Sequence, residues 1–275
     1  MNIVNIAAYK FVSLKESELP VLRADLKEKA LESGIKGTIL LSTEGINLFL
    51  AGEVEGIETF KQVLASNPHF GQLTYKESLS DEQPFSRMLV RLKKEIISMG
   101  CPEIRPESEA APHLSPEELK EWYLQGKKMV ILDTRNDYEV KLGTFDQAVD
   151  LNIKSFRDFP KVIENLPEEM KTLPIVTFCT GGIRCEKAAQ LMLNRGFRNV
   201  YQLDGGILNY FEKVGGDHYH GECFVFDKRV AVNHRLEETA TVQCYSCRNP
   251  LSADEQQNAA GTCPFCGENK FLKGD

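Results

Sequence analysis

A chain of 275 residues with 42% hydrophobic residues is long enough for two or three cores, and its net charge of −7 excludes nucleic-acid binding through general charge alone. No stretch approaches the roughly 18 apolar residues of a membrane span, and the opening MNIVNIAAYKFVSLKE lacks the basic start and apolar run of a secretory leader. The eight cysteines are therefore expected to be thiols for catalysis or metal in a reducing cytoplasm, not a disulfide framework.

Residues 1–100 alternate strand and helix patterns. IVNIAAYKFV is β-rich, and ELPVLRADLKEKALESG spaces Leu22, Leu26 and Ala30 as a helix does before closing on Gly34. GTILLST and INLFLAG read as strands joined by a tight turn, VEGIETFKQVLASNP as a second helix, and QLTYKESL and RMLVRLKKEII as further strands. The order βαββαβ with one extra strand predicts a ferredoxin-like or acylphosphatase-like α+β sandwich. Residues 101–113, CPEIRPESEAAPH, hold three prolines and no apolar period, and are expected to be a linker.

Residues 114–215 have a different rhythm. Ser115, Pro116 and Glu118 form a helix-start signature, a capping box with proline in the first turn. Strands MVILDTR, AVDLNI, PIVTF and NVYQL then alternate with helices FPKVIENLPEEM and EKAAQLMLNRG, which predicts a parallel α/β domain. The polar stretch 216–275 carries five of the eight cysteines and is expected to form a cysteine-rich C-terminal region.

The chemistry concentrates in IVTFCTGGIRCEKAAQLML. Cys179 follows an apolar strand, and the loop Thr180, Gly181, Gly182 and Ile183 leads to Arg184 at a helix start. Backbone N–H groups converge on such a turn, and the helix end adds positive polarity. A thiolate at Cys179, assisted by Arg184, would sit in that cradle with a depressed pKa. Cysteine phosphatases place five residues between Cys and Arg; here there are four, a smaller ring suited to a persulfide on the cysteine itself. Cys185 is a candidate to resolve an oxidised or persulfidated Cys179; a small residue at a helix start is the plainer reading.

Together with LDTRNDYEVKLGTF (Asp133, Arg135, Glu139 and Gly143) and VYQLDGGILNY, this loop resembles the rhodanese domain in order and spacing. That resemblance makes Asp133 and Arg135 structural anchors. The additional segments GTILLSTEGIN, PFSRMLVRLKKEIISMG and GECFVFDKRVAV extend the likeness over nearly the whole chain, to the tRNA uridine(34) hydroxylase family. The family resemblance implies hydroxylation of the wobble uridine to 5-hydroxyuridine, with molecular oxygen as co-substrate, an unspecified electron donor and a reactive cysteine at Cys179 that faces an unstacked base. A rhodanese-type sulfurtransferase is the alternative. No flavin or nicotinamide fingerprint is evident in the sequence.

Arg87, Arg91 and Lys93 alternate on one strand face with Phe85, a stripe suited to the phosphates and bases of a tRNA anticodon loop; edge strands also carry such charges to deter aggregation. In the tail, CYSC (Cys244, Cys247) and CPFC (Cys263, Cys266) have the pairing of a zinc ribbon, with Gly261 and Gly267 suiting its turns. Cys223, near His218 and His220, matches no common metal spacing; its run is expected to pack as a strand with Phe224 and Phe226 flanking the core.

Overall fold

Alternation in the first hundred residues produces strands whose alternate side chains enter one core. In the computed structural model, which describes residues 3–108, 110–258, 261–268 and 271–272, β1 (Ile3–Phe11) sends Val4, Ile6 and Ala8 inward. Then come α1 (Leu19–Glu32), β2 (Lys36–Ser42), β3 (Gly45–Gly52), α2 (Val54–Ser66), β4 (Lys76–Ser80) and β5 (Met88–Leu92). The sheet order is β4-β1-β3-β2-β5, with only β2 and β5 parallel. Leu26 and Ala30 of α1, with Ile57, Phe60 and Leu64 of α2, cover one face. This is the expected βαββαβ order with β5 added beyond it.

The last strand is shorter than its apolar run suggests. Lys93 N–H still reaches the Leu41 carbonyl at 2.8 Å. Side chains then capture the backbone: Ile96 N–H donates to Glu44 Oε1 at 2.6 Å, and Asn47 Nδ2 donates to the Ile96 carbonyl at 3.1 Å. Those bonds replace the ladder and end it.

The chain divides into two compact units, Met1–Ala111 and Pro112–Asp275. In the second, β6 (His113–Leu114) precedes α3 (Pro116–Leu124), whose Ser115 and Glu118 form the expected reciprocal cap. There follow β7 (Val130–Asp133), α4 (Asp137–Val140), β8 (Gly143–Phe145), β9 (Val149–Asp150), α5 (Phe159–Ile163), β10 (Pro174–Phe178), α6 (Ile183–Asn194), β11 (Asn199–Leu203) and α7 (Gly206–Val214). Strands β6-β11-β10-β7-β9 form a parallel sheet. The helix expected over 159–170 stops at Ile163 and resumes as a 3-10 turn at Glu168–Thr172. Pro167 is the reason: it donates no N–H and disfavours helix in the residue before it.

The polar stretch after residue 215 does not separate at once. Strand β12 (Tyr219–Gly221) pairs with β8, and β13 (Cys223–Phe224) with β14 (Ala231–Val232). Tyr219, Cys223, Val225 and Val232 share a core with Val176, Phe178, Leu203 and Tyr210. The parallel-sheet core thus runs on to Val232. Beyond it, β15 (Val242–Cys244), β16 (Pro250–Leu251), α8 (Ala253–Asn258) and β17 (Phe271–Leu272) surround a small cluster of Val242, Cys244, Leu251 and Cys263. Among the described residues, no helix is long and apolar enough to cross a membrane.

Candidate active site at a buried cysteine loop

Strand β10 ends at Phe178 and α6 starts at Ile183, so Cys179 to Gly182 form a turn at the carboxyl edge of the sheet. Gly182 caps the helix with φ 95°, a left-handed conformation that glycine adopts without a Cβ penalty. Gly206 presses against the same turn: a Cβ there would lie 2.4 Å from the Cys179 carbonyl oxygen and 2.7 Å from Gly182 N. Gly181 is different. A Cβ on it would meet nothing within 4 Å, so the curl rests on Gly182 alone.

The turn is built around sulfur. Gly182 N–H donates to Cys179 Sγ at 3.1 Å. Burial by itself would push the Cys179 thiol up; the Cys185 hydrogen bond, the Arg184 charge, and the N–H groups of Arg184 and Gly182 outweigh it and hold the thiol down at about 5. That shift favours the thiolate, the form in which a cysteine reacts. Cys185 sits well above its ordinary range, because it is buried and keeps its proton to donate a hydrogen bond to Cys179; Thr134 Oγ1 lies 3.8 Å from its sulfur. The N–H nest expected for an anion therefore holds the cysteine's own charge.

One expectation is corrected here. Cys179 and Cys185 are both 0% exposed, and Thr180 and Arg184 only 5% and 4%. The sulfur does not face an open base pocket, because its donors and the chain around Thr180 enclose it. In this arrangement a nucleobase does not touch Sγ.

Arg184 is held by a residue to which the sequence assigned no role. Its Nη1 and Nη2 donate to Glu139 Oε2 and Oε1 at 2.6 and 2.7 Å, with side chains 5% and 0% exposed. Burial tends to raise the Glu139 carboxyl; the Arg184 charge and hydrogen bonds more than offset this and lower it. Glu139 also accepts from Asn136 N–H as a helix cap, at 3.1 Å. That local role was readable from Asn136 and Glu139 three apart; the distant one, across 45 residues of chain, was not. Asp133 and Arg135 form a second, fully buried pair, with Arg135 Nη2 also donating to the Gly143 carbonyl at 2.6 Å. Their contacts are those of an anchor.

A hairpin covers the loop. Thr180 Oγ1 lies 3.3 Å from the Phe224 carbonyl oxygen and 3.4 Å from Glu139 Oε1. Phe224 is buried at 5%, but Phe226 is 43% exposed, so only the first of the two flanks the core. The Arg184 guanidinium stands 5.8 Å from the Phe226 ring centre. Cys223 is 0% exposed, and burial pushes its thiol up to about 12. His218 and His220 both turn to Asp146.

In the first unit, Met88 and Val90 enter the core, which turns Arg87, Arg91 and Lys93 to the other side, where all three are exposed; Phe85 is half-buried. In the tail, one ligand atom from each of Cys244, Cys247, Cys263 and Cys266 lies within 4.8 Å of the others. The Cys244–Cys266 and Cys247–Cys263 sulfurs are each 3.7 Å apart. Four ligands at ~2.3 Å around a tetrahedral ion stand about 3.8 Å from one another, so these residues fit a single metal ion. Arg248 and Gly267, each just after a pair's second cysteine, take matching left-handed φ values of 63° and 75°, and Arg248 and Gly267 N–H return to the Cys244 and Cys263 carbonyls at 3.0 and 2.8 Å.

Comparison with known proteins accords with this anatomy. Residues 3–96 match the UPF0176 acylphosphatase like domain, and residues 115–213 match the rhodanese-like domain. The chain is 52% identical to a protein of Cupriavidus pinatubonensis named tRNA uridine(34) hydroxylase, over 97% of both chains. Proteins of the same name from Cupriavidus metallidurans and Ralstonia nicotianae are 51% and 49% identical, over 97% and 98% of both chains. With half its residues shared across nearly its full length, the chain belongs to the tRNA uridine(34) hydroxylase family.

Proposed function

We propose that this protein hydroxylates carbon five of the wobble uridine in tRNA, giving 5-hydroxyuridine, with dioxygen as co-substrate. The observation that carries the reading is Cys179 in the strand-to-helix turn, with Gly182 N–H donating to its sulfur at 3.1 Å, in a chain that shares half its residues with enzymes of that name. Replacing the C5 hydrogen by a hydroxyl from dioxygen consumes two electrons and two protons and leaves one water. The Cys179 thiolate and the Cys185 thiol, passing together to a disulfide, release two electrons and one proton, and solvent supplies the second proton. Burial of both sulfurs favours this role over addition of the thiolate to the base. An external reductant then restores the dithiol, which suits a reducing cytoplasm.

Arg184 and the loop N–H groups keep Cys179 charged, and Glu139 keeps Arg184 in place. Transfer of a sulfane sulfur from an external donor to Cys179, the alternative to the dithiol role, would put the outer sulfur ~2 Å further out and carry reactivity beyond the buried loop. The exposed Arg87, Arg91 and Lys93 are read as phosphate contacts to the anticodon stem-loop, with Phe85 beside them. The four tail cysteines take a structural zinc ion; four thiolates leave it no open position for catalysis. Where so few apolar residues stand together, the ion supplies folding free energy.

Mass spectrometry of tRNA nucleosides from cells with and without the gene tests the reading. The intact gene should be required for 5-hydroxyuridine, and Cys179→Ser should abolish it; modification that survives the substitution refutes the proposal. The rhodanese-like loop favours a second reading, sulfane-sulfur transfer through Cys179. Thiosulfate turnover by the purified protein, with no change in tRNA hydroxylation on gene loss, would favour it.

A further inference from the structure

Single exposed hydrophobic side chains are ordinary on protein surfaces; Phe226 is unusual in how and where it is held. It lies in the turn between β13 and β14, whose Thr180 contact ties the hairpin to the cysteine loop. Its ring stands edge-on to Phe224, 5.2 Å between centres, and Phe224 in turn meets Tyr138 at 5.3 Å. The Arg184 guanidinium is 5.8 Å from the ring centre, yet 43% of the residue remains open to solvent.

The turn is held by a buried ion pair and carries a strained residue. Arg229 Nε and Nη2 donate to Asp227 Oδ1 and Oδ2 at 2.9 and 2.6 Å, both side chains more than nine-tenths buried. Val225 N–H bonds the Val230 carbonyl at 2.8 Å. Val230 takes φ 61°, a conformation that β-branched residues rarely adopt and that surrounding structure must enforce. A buried ion pair and a strained valine thus present one exposed aromatic ring next to the arginine of the cysteine loop.

We propose that Phe226 is the platform on which the unpaired target base stacks. The inference rests on the uridine hydroxylase reading and deepens it. Every base has a π-face, so a fixed phenyl ring holds a splayed base without needing its hydrogen-bonding edge. The charge of the guanidinium near the ring favours the stack. A base lying on Phe226 is beside the cysteine loop without touching Sγ, in keeping with the complete burial of Cys179.

The test uses the full-length protein and a synthetic anticodon stem-loop RNA, made with uridine at the wobble position or with an abasic site there. Phe226→Ala should raise the Kd and KM for the uridine RNA by about fivefold to a hundredfold, the range for losing one base–aromatic stack. Phe226→Trp should restore binding, while Phe226→Leu, apolar but without a π-face, should not. On the abasic RNA, wild type and Phe226→Ala should bind alike. Equal penalties on the two RNAs, or full rescue by leucine, would overturn the proposal. Binding is read separately from turnover, so wild-type protein that binds the RNA but makes no 5-hydroxyuridine would refute the activity and leave the stacking result to stand or fall alone.

Discussion

Replacing Glu139 by Gln should destabilise the second unit by about 3–5 kcal/mol, the cost of removing one partner of a buried ion pair. The figure follows from the geometry. Arg184 makes two short hydrogen bonds to Glu139, and both side chains are almost wholly out of water. Glutamine keeps the shape but loses the charge, and turns an NH2 toward the guanidinium. Urea unfolding followed by tryptophan fluorescence isolates the effect, because the chain's single tryptophan, Trp122, lies in this unit, edge-on to Tyr201 at 5.3 Å. The double variant Glu139→Gln, Arg184→Met should cost clearly less than the two single variants summed, since it leaves no unpaired charge. The pH dependence has a definite sign. The Glu139 carboxyl is held below its ordinary value of 4.5, so its stabilisation is complete above that value and lost as pH falls toward the folded one. Glu139→Gln should remove that acid-side loss. A single-variant cost under ~1 kcal/mol, or additive single variants, would refute the claim that the pair is one buried unit.

Thiolate absorbance of Cys179 should disappear on acidification near pH 5, and Cys185→Ala, which removes the proton donor, should move that midpoint up toward the ordinary 9.0; an unmoved midpoint would show that Cys185 does not hold the charge. Purified protein should contain one zinc per chain by elemental analysis, and Cys247→Ser should lose the metal and open the tail to proteolysis while Trp122 fluorescence stays native; a metal-free but protease-resistant tail would refute zinc as the source of its folding. Neutralising Arg87, Arg91 and Lys93 together should weaken tRNA binding and flatten the log Kd against log salt slope by about 2, at ~0.7 for each single-strand phosphate left without its cation. An unchanged slope would move the RNA-binding face to another surface.

Local signals in the sequence were enough for most of the elements and for the position of the cysteine loop. The capping box at Ser115, the alternation of Val4, Ile6 and Ala8, and the cysteine, two glycines and arginine between strand and helix are each confined to a few neighbouring residues, and each is found in place. The sequence also brought out the paired CxxC motifs, whose spacing places four sulfurs within reach of one ion. Only the tertiary structure joined Glu139 to Arg184, drew Cys223 and Val232 into the parallel-sheet core, enclosed Cys179, and left Phe226 exposed while burying Phe224. Those outcomes depend on which surfaces meet across tens of residues. Alternation assigns a side chain to one face of a strand, but whether that face meets water or protein is settled by what packs against it.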